Sequence, residues 1–247
     1  MKLKVKSFEQ LGYLVCEDFF DRKDELTNCF DEIIEQNSSM AAVLEAAGNS
    51  SIIDKKTFAI ESGNLKYLAN ANVYFKSINR LITSRVQNYA ESLLGEEVYL
   101  DAVELHQKLP GASLTPPHQD NFYFCLENAR SLTAYIPLNA QSELNGGLAV
   151  MARSHIDDLP HYKSDVVGFS SGIEERYLQS YESTNYVLNP GDISFHHCNI
   201  VHLAPPNRSS FPRVSIALRF KGVKDKVSEK KYARYIKFAN QSTRVSS

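Results

Sequence analysis

Residues 189–220 read NPGDISFHHCNIVHLAPPNRSSFPRVSIALRF, and this stretch decides the fold. Asn189-Pro190-Gly191-Asp192 is turn chemistry that launches a strand, DISFHHC, at 192–198. His196 and His197 are neighbours on it and must project to opposite faces. Pro205, Pro206 and Asn207 break the run, and VSIALRF at 214–220 is a second strand. Arg213, Ser215 and Arg219 share one face of that strand.

The same period extends upstream. VYLDAVELHQKL (98–109), SLTAYIPLNA (131–140) and GGLAVMA (146–152) are short strand-like runs punctuated by Pro, Gly and Asn. Before residue 97 the period is helical. GYLVCEDFF (12–20) reads as a strand, and Asp24 as the cap of a helix with Leu26, Phe30, Ile33 and Ile34 on its apolar stripe. Residues 40–47 add a helical turn or two, ended by Gly48-Asn49. Val73, Phe75, Ile78, Leu81, Ile82, Val86, Tyr89, Leu93 and Leu94 predict one long amphipathic helix over 71–94, stopped by Gly95. Helices first and strands afterwards predict a mainly β fold with flanking helices, a helical layer packed on a β-sandwich or barrel. The expected organisation is one domain over 1–247, with the helical layer at about 20–95, the β core at about 97–220 and a charged surface tail at 221–247 that reads as a surface helix with a frayed end.

With 247 residues, 43% of them hydrophobic, the chain can bury one substantial core. A formal charge of −2 gives no basic field for nucleic acid. The start, MKLKVKSFEQ, is basic without an apolar run behind it, which predicts no signal peptide, and no stretch approaches a membrane span. Cys16, Cys29, Cys125 and Cys198 show no CxxC spacing. Reduced thiols in a cytoplasmic protein are expected, as a monomer or homodimer.

The residues that carry chemistry are His118-Gln119-Asp120, answered downstream by His196, His197 or His202, and then Arg213. On a strand, His118 and Asp120 would share a face while Gln119 points away. Two imidazoles and a carboxylate form the facial triad that holds a non-haem Fe(II) and leaves positions open for substrate and O₂. Arg213 supplies a planar fork suited to a carboxylate. A metal with open positions and an anion clamp points to an oxygenase with a keto-acid co-substrate. A second triplet, His155-Ile156-Asp157, reads as loop.

The stretches FEQLGYLVCEDFF (8–20), PPHQDNFYF (116–124), NGGLAVMARSH (145–155) and NPGDISFHHCNIVHLAPPNRSSFPR (189–213) resemble the phytanoyl-CoA dioxygenase family of Fe(II)/2-oxoglutarate-dependent oxygenases. The resemblance covers roughly residues 8–220 and is weakest over 40–95. It implies a double-stranded β-helix, the cupin-like jelly-roll, and hydroxylation of a small molecule using Fe(II), 2-oxoglutarate and O₂. It places the distal ligand at His202 and does not imply that phytanoyl-CoA is the substrate. A carboxylate ligand at Asp120 leaves no halide position of the kind related halogenases have. Two departures stand out: Ala152-Arg153 replaces a Pro-Gly pair, and Ala204 stands where members often have Ser.

For the co-substrate, Arg213 and Ser215 are expected to meet the distal carboxylate, with Thr133, Tyr135, Gln119 and Lys108 as further candidates. Lys108 could equally lie on the solvated face of an edge strand, as could His106 and Glu104. Tyr123, Asn121 and Arg153 are the candidate substrate contacts, and the tyrosine-rich segment 156–187 is a candidate lid. Two other readings of the same residues are a cupin-like metalloenzyme that does not use 2-oxoglutarate and a non-catalytic ligand-binding jelly-roll.

Overall fold

The computed structural model describes residues 1–48, 57–164, 166 and 170–240. Chain order runs α1 (Lys2–Leu11), β1 (Tyr13–Cys16), α2 (Lys23–Gly48), β2 (Phe58–Glu61), β3 (Asn64–Ala69), α3 (Ala71–Tyr74), α4 (Ser84–Leu94) and β4 (Val98–Lys108). It continues with β5 (Thr115–His118), α5 (Asn121–Phe124), β6 (Ser131–Pro137), β7 (Ala149–Met151), β8 (Tyr162–Lys163) and β9 (Ser171–Gly172). The last elements are β10 (Ser183–Asn185), β11 (Ile193–His197), β12 (His202–Ala204), β13 (Arg213–Gly222) and α6 (Glu229–Ala239).

Two antiparallel sheets form the core. The larger has seven strands in the order β1-β11-β6-β13-β4-β3-β2, and the smaller has four in the order β10-β7-β12-β5. They meet through Tyr135, Val15 and Tyr13 on one side and Leu148 and Val150 on the other. Together with the helices this is the jelly-roll architecture, mainly β with helices at the N-terminal side.

The outer face of the large sheet is apolar and packs under the helices. Leu132, Ala134 and Ile136 of β6, with Val214, Ile216, Leu218 and Phe220 of β13, join Leu26, Ile33, Val86, Ala90 and Leu93 in one cluster. Such burial is the main stabilising term, roughly 1.5–3 kcal/mol for each large side chain. The intervening residues of the same strands face the small sheet.

Several expectations change on the helical side. The helix expected over 71–94 is three pieces: α3, a 3₁₀ turn at Lys76–Arg80, and α4. Phe75 between the first two is extended, and Thr83 is extended and caps α4 by accepting from the Val86 N–H at 3.4 Å. Phe75, Ile78 and Leu81 are all buried, so burial is met without a continuous helix and tertiary packing overrides the periodicity. In the other direction, α2 runs unbroken from Lys23, merging the two helices expected there. Asp24 lies in its first turn rather than at the cap, where its charge still favours the helix dipole. Asn37, between the two expected helices, ties α2 to the large sheet: its Oδ1 accepts from the Leu65 N–H at 2.8 Å and from Gln107 Nε2 at 3.2 Å. Asn49, half of the expected stop, lies outside the described residues.

The hairpin β2–β3 was not expected inside a helical layer, and it extends the large sheet beyond β4. β4 is therefore an interior strand, not a solvated edge. At the other end, the surface helix expected after residue 220 is α6, and it is anchored to the core at one point. Ser228 caps it, and Phe238 is buried against Phe122 with ring centroids 4.8 Å apart. Residues 241–247 lie outside the described residues.

Candidate metal centre and co-substrate pocket

β12 pairs with β5 so that His202 and His118 are direct cross-strand partners. Antiparallel partners share a face, and the two imidazole rings lie 4.2 Å apart at their centroids. β5 ends at His118, so Asp120 is not on the strand, as the sequence spacing suggests; it sits in the helical turn that opens α5. The turn still aims it inward. Asp120 Oδ1 lies 3.7 Å from both His118 Nε2 and His202 Nε2. β5 also contains Pro116 and Pro117, which an edge strand of the small sheet tolerates.

Each histidine spends its other nitrogen on a backbone carbonyl: His118 Nδ1 on Pro116 at 2.8 Å and His202 Nδ1 on Ile200 at 3.2 Å. Nδ1 is then the donor, assigned from the hydrogen bond, and Nε2 keeps its lone pair for the centre. Burial, and then the neighbouring His202, push the His118 imidazolium down to about 3 against the pull of Asp120, so the ring is neutral. At 3.7 Å the contacts with Asp120 are too long for hydrogen bonds. The three side chains thus converge, their ligating atoms within 4.8 Å of one another. That donor set fits a divalent cation, and two nitrogens with one carboxylate are the ligands of a non-haem Fe(II) site.

Surrounding groups hold this set. Thr133 Oγ1 of β6 is 3.5 Å from Asp120 Oδ2. The Gln119 amide is spent on the loops: Nε2 donates to the carbonyls of Asn199 at 2.6 Å and Asp157 at 2.8 Å, and Oε1 accepts from the Leu159 N–H at 3.0 Å. His196 lies beside the centre, its ring 5.0 Å from that of His202. His197, on the opposite face, packs against Phe8 and His155. The second triplet is separate: His155 Nε2 meets the Glu9 carbonyl at 3.1 Å, and Asp157 accepts from the Tyr181 hydroxyl at 2.6 Å.

Arg213 opens β13 and is buried. Its Nη1 donates to the Tyr135 hydroxyl at 3.0 Å and the Ser215 hydroxyl at 2.9 Å. Its Nε is buried without a partner, and no carboxylate lies within ion-pair distance among the described residues. A buried guanidinium is rarely left so, and its open edge suits an anion.

Lys108, buried and cross-strand from Arg213, donates to the Ala204 carbonyl at 2.9 Å and Thr115 Oγ1 at 3.3 Å. Burial, and then Arg213, push its ammonium down to about 7. A Cβ on Gly146 would lie 2.5 Å from Lys108 Cδ and 2.7 Å from the Pro205 carbonyl, so the NGG stretch leaves room for that side chain. Thr133, Tyr135, Ser215 and Lys108 all lie on the inward face of the large sheet.

Tyr123 edges the centre, its ring 6.3 Å from His118, and its hydroxyl meets Ser171 Oγ at 2.6 Å. Ser171 belongs to the segment expected as a lid, of which residues 165 and 167–169 lie outside the described residues. Asn121 is buried and holds the turn, its Oδ1 accepting from the Leu126 N–H at 2.9 Å. Arg153 is exposed on a left-handed turn beside the end of α1. Arg176 pairs with Glu174 at 2.9 Å on the surface.

The sequence reading missed one ionic array on the inward face. Glu104 accepts from the Tyr67 hydroxyl at 3.0 Å and from Arg219 Nη1 at 3.2 Å, and Arg219 Nε donates to Asp101 Oδ2 at 2.7 Å. Burial raises the Glu104 carboxyl, but His106, Arg219 and Tyr67 together outweigh it and hold it at about 2. Arg219 belongs to this array. Tyr67 lay in the segment of weakest resemblance, where no sequence signal could find it.

The model of the phytanoyl-CoA dioxygenase (PhyH) family matches residues 8–215. Among curated relatives, a probable alpha-ketoglutarate-dependent hypophosphite dioxygenase of Stutzerimonas stutzeri is 24% identical over 208 residues, covering 82% of this chain and 72% of that protein. An ectoine dioxygenase of Sphingopyxis alaskensis is 25% identical over 249 residues, covering 90% and 76%. Among solved structures, EctD from S. alaskensis with 2-oxoglutarate and 5-hydroxyectoine superposes with a TM-score of 0.71 at 20% identity, covering 92% of this chain and 78% of that one. The alpha-ketoglutarate-dependent epimerase SnoN from nogalamycin biosynthesis gives 0.67 at 20% identity, covering 98% and 91%. The chain belongs to the phytanoyl-CoA dioxygenase family. It is an oxygenase dependent on Fe(II) and 2-oxoglutarate, using O₂, with a small-molecule substrate. Among the described residues, no helix is long and apolar enough to cross a membrane.

Proposed function

We propose that His118, Asp120 and His202 hold Fe(II), and that Arg213, with Ser215, Tyr135 and Lys108, receives the distal carboxylate of 2-oxoglutarate. The reaction we assign is hydroxylation of a small metabolite in the cytoplasm. The observation that carries the co-substrate assignment is the Arg213 guanidinium: buried, hydrogen bonded on one edge only to hydroxyls, and facing no acid among the described residues. A bound iron supplies O₂ activation coupled to decarboxylation of 2-oxoglutarate to succinate.

The chain's own residues do the positioning. The two Nδ1–carbonyl bonds orient the imidazoles, and Thr133 orients the carboxylate. Gln119 braces the loops around the centre and supports the co-substrate only through them. Tyr123 is the substrate contact best supported, since it borders His118 directly. Asn121 acts through the turn that it holds, and Arg153 would meet a substrate only at the rim. A dry, shaped pocket limits unproductive turnover.

The test is anaerobic addition of Fe(II) and 2-oxoglutarate to metal-free protein, following the visible charge-transfer band of a chelated keto acid. The expected result is a band that His202→Ala abolishes and Arg213→Ala weakens. Iron-bound wild-type protein without a band overturns the assignment.

A further inference from the structure

The ionic array lies next to the metal centre and is not used by the co-substrate clamp. Arg219 is the direct cross-strand partner of Thr133, and Thr133 touches Asp120. Phe124, four residues after Asp120, lies over the array: its ring centre is 4.5 Å from the Arg219 guanidinium and 5.2 Å from Lys221 Nζ. Lys221 Nζ also meets Asp101 Oδ2 at 3.1 Å. Although these strand residues face inward, Arg219 and Asp101 keep about a fifth of their side-chain surface exposed, 20% and 21%. Part of both side chains is therefore open to solvent and to a small solute.

Two acids and two cations on an inward wall are costly to desolvate. An apolar substrate seated against them would remove their water and return no partner. The hydrogen bonds made within the array also leave a pattern. Arg219 is engaged through Nε and Nη1, and Asp101 through Oδ2. Among the described residues, Arg219 Nη2 and Asp101 Oδ1 have no hydrogen-bond partner. One donor edge of a cation and one acceptor lone pair of an acid thus stand side by side.

We propose that this wall binds the substrate, and that the substrate is a small zwitterion. Its anionic group meets Arg219 Nη2, its cationic or N–H group meets Asp101 Oδ1, and Phe124 covers it beside the metal. Glu104, Tyr67 and Lys221 hold the two contact residues in place. This inference rests on the oxygenase reading of the same site.

The full-length protein is loaded anaerobically with Fe(II) and 2-oxoglutarate, and the charge-transfer band is recorded first. Absence of that band overturns the underlying co-substrate assignment and is recognised as such. Three sets of probes are then added separately: free α-amino acids with their N-methylated betaines, small oxyanions such as methylphosphonate, and medium-chain apolar carboxylic acids. Each is read by perturbation of the band and, in air, by stimulated succinate release. The expected result is a response to one or more zwitterions. In Arg219→Met the KM for that zwitterion should rise roughly 10- to 150-fold, the range for losing a hydrogen bond to a charged group, with kcat changed far less. Arg219→Lys should recover part of the loss. Asp101→Asn, which keeps the side-chain shape, should raise KM in the same direction. Response only to oxyanions or apolar acids, no response to any probe, or an unchanged KM in both Arg219→Met and Asp101→Asn overturns the inference.

Discussion

The two faces of the seven-stranded sheet are made by alternate residues of the same strands, yet they share almost no chemistry. On β13, Val214, Ile216, Leu218 and Phe220 turn to the helices, while Arg213, Ser215 and Arg219 turn to the site. On β6, Leu132, Ala134 and Ile136 alternate with Thr133 and Tyr135 in the same way. Stability and function are therefore separated by single residues, and a one-residue slip would exchange them. The difference teaches that a substitution on either face should read mainly as one kind of effect: loss of fold on the outer face, loss of binding on the inner, with the ionic array around Glu104 the place where the inner face also contributes to folding.

The sharpest way to break that separation is at the metal. His202→Ala should reduce iron stoichiometry and succinate release to background while leaving the far-ultraviolet circular dichroism unchanged. A collapse of the fold would mean that the inner face also carries stability. Leu218→Ala, on the same sheet but facing outward, should cost about 2–5 kcal/mol in denaturant unfolding. Its keto-acid band should persist wherever the protein is folded.

Arg213→Met should weaken 2-oxoglutarate binding by about 1.5–3 kcal/mol, or roughly 10- to 150-fold in Kd by calorimetry. Iron binding should be largely retained, because Arg213 touches none of the three ligands. Gln119→Ala removes an amide that ties two loop segments, one at Asp157 and Leu159 and one at Asn199, behind the ligands. A supporting group of this kind is worth about 10- to 100-fold in metal affinity, to be measured by competition with a chelator.

The smallest effect sharpens the comparison through pH. The Glu104 carboxyl is held at about 2, below its usual 4.5. Its stabilising contribution is complete above pH 4.5 and fades as pH falls toward about 2. Unfolding of metal-free protein across that window should show a shallower loss of stability in Glu104→Gln than in wild type. Parallel slopes would mean that the ionic array contributes nothing to folding.

Much of this was legible beforehand because it is local. The strand runs, the turn at Asn189–Asp192, the His118-Gln119-Asp120 triplet and the step from His202 to Arg213 depend on residues near each other in sequence. The break at Phe75 and Thr83 was not legible, because the apolar periodicity of 71–94 fits either one helix or three buried pieces. Asp120 was expected on a strand and instead lies in a turn, yet converges on the same point. The donor set tolerates that difference, since only the ligating atoms must meet.

What the sequence determined alone was the alternation within each strand and the residue types able to bind metal and anion. It did so because side-chain direction in a strand follows from position. Which strand lies beside which was settled only in three dimensions. The pairing of His118 with His202, the placement of Lys108 beside Arg213, and the meeting of Tyr67, Glu104 and Arg219 all join residues distant along the chain. No local preference encodes such contacts. They exist because both sheets must bury their apolar faces at once, and that demand fixes the register that brings the polar faces together.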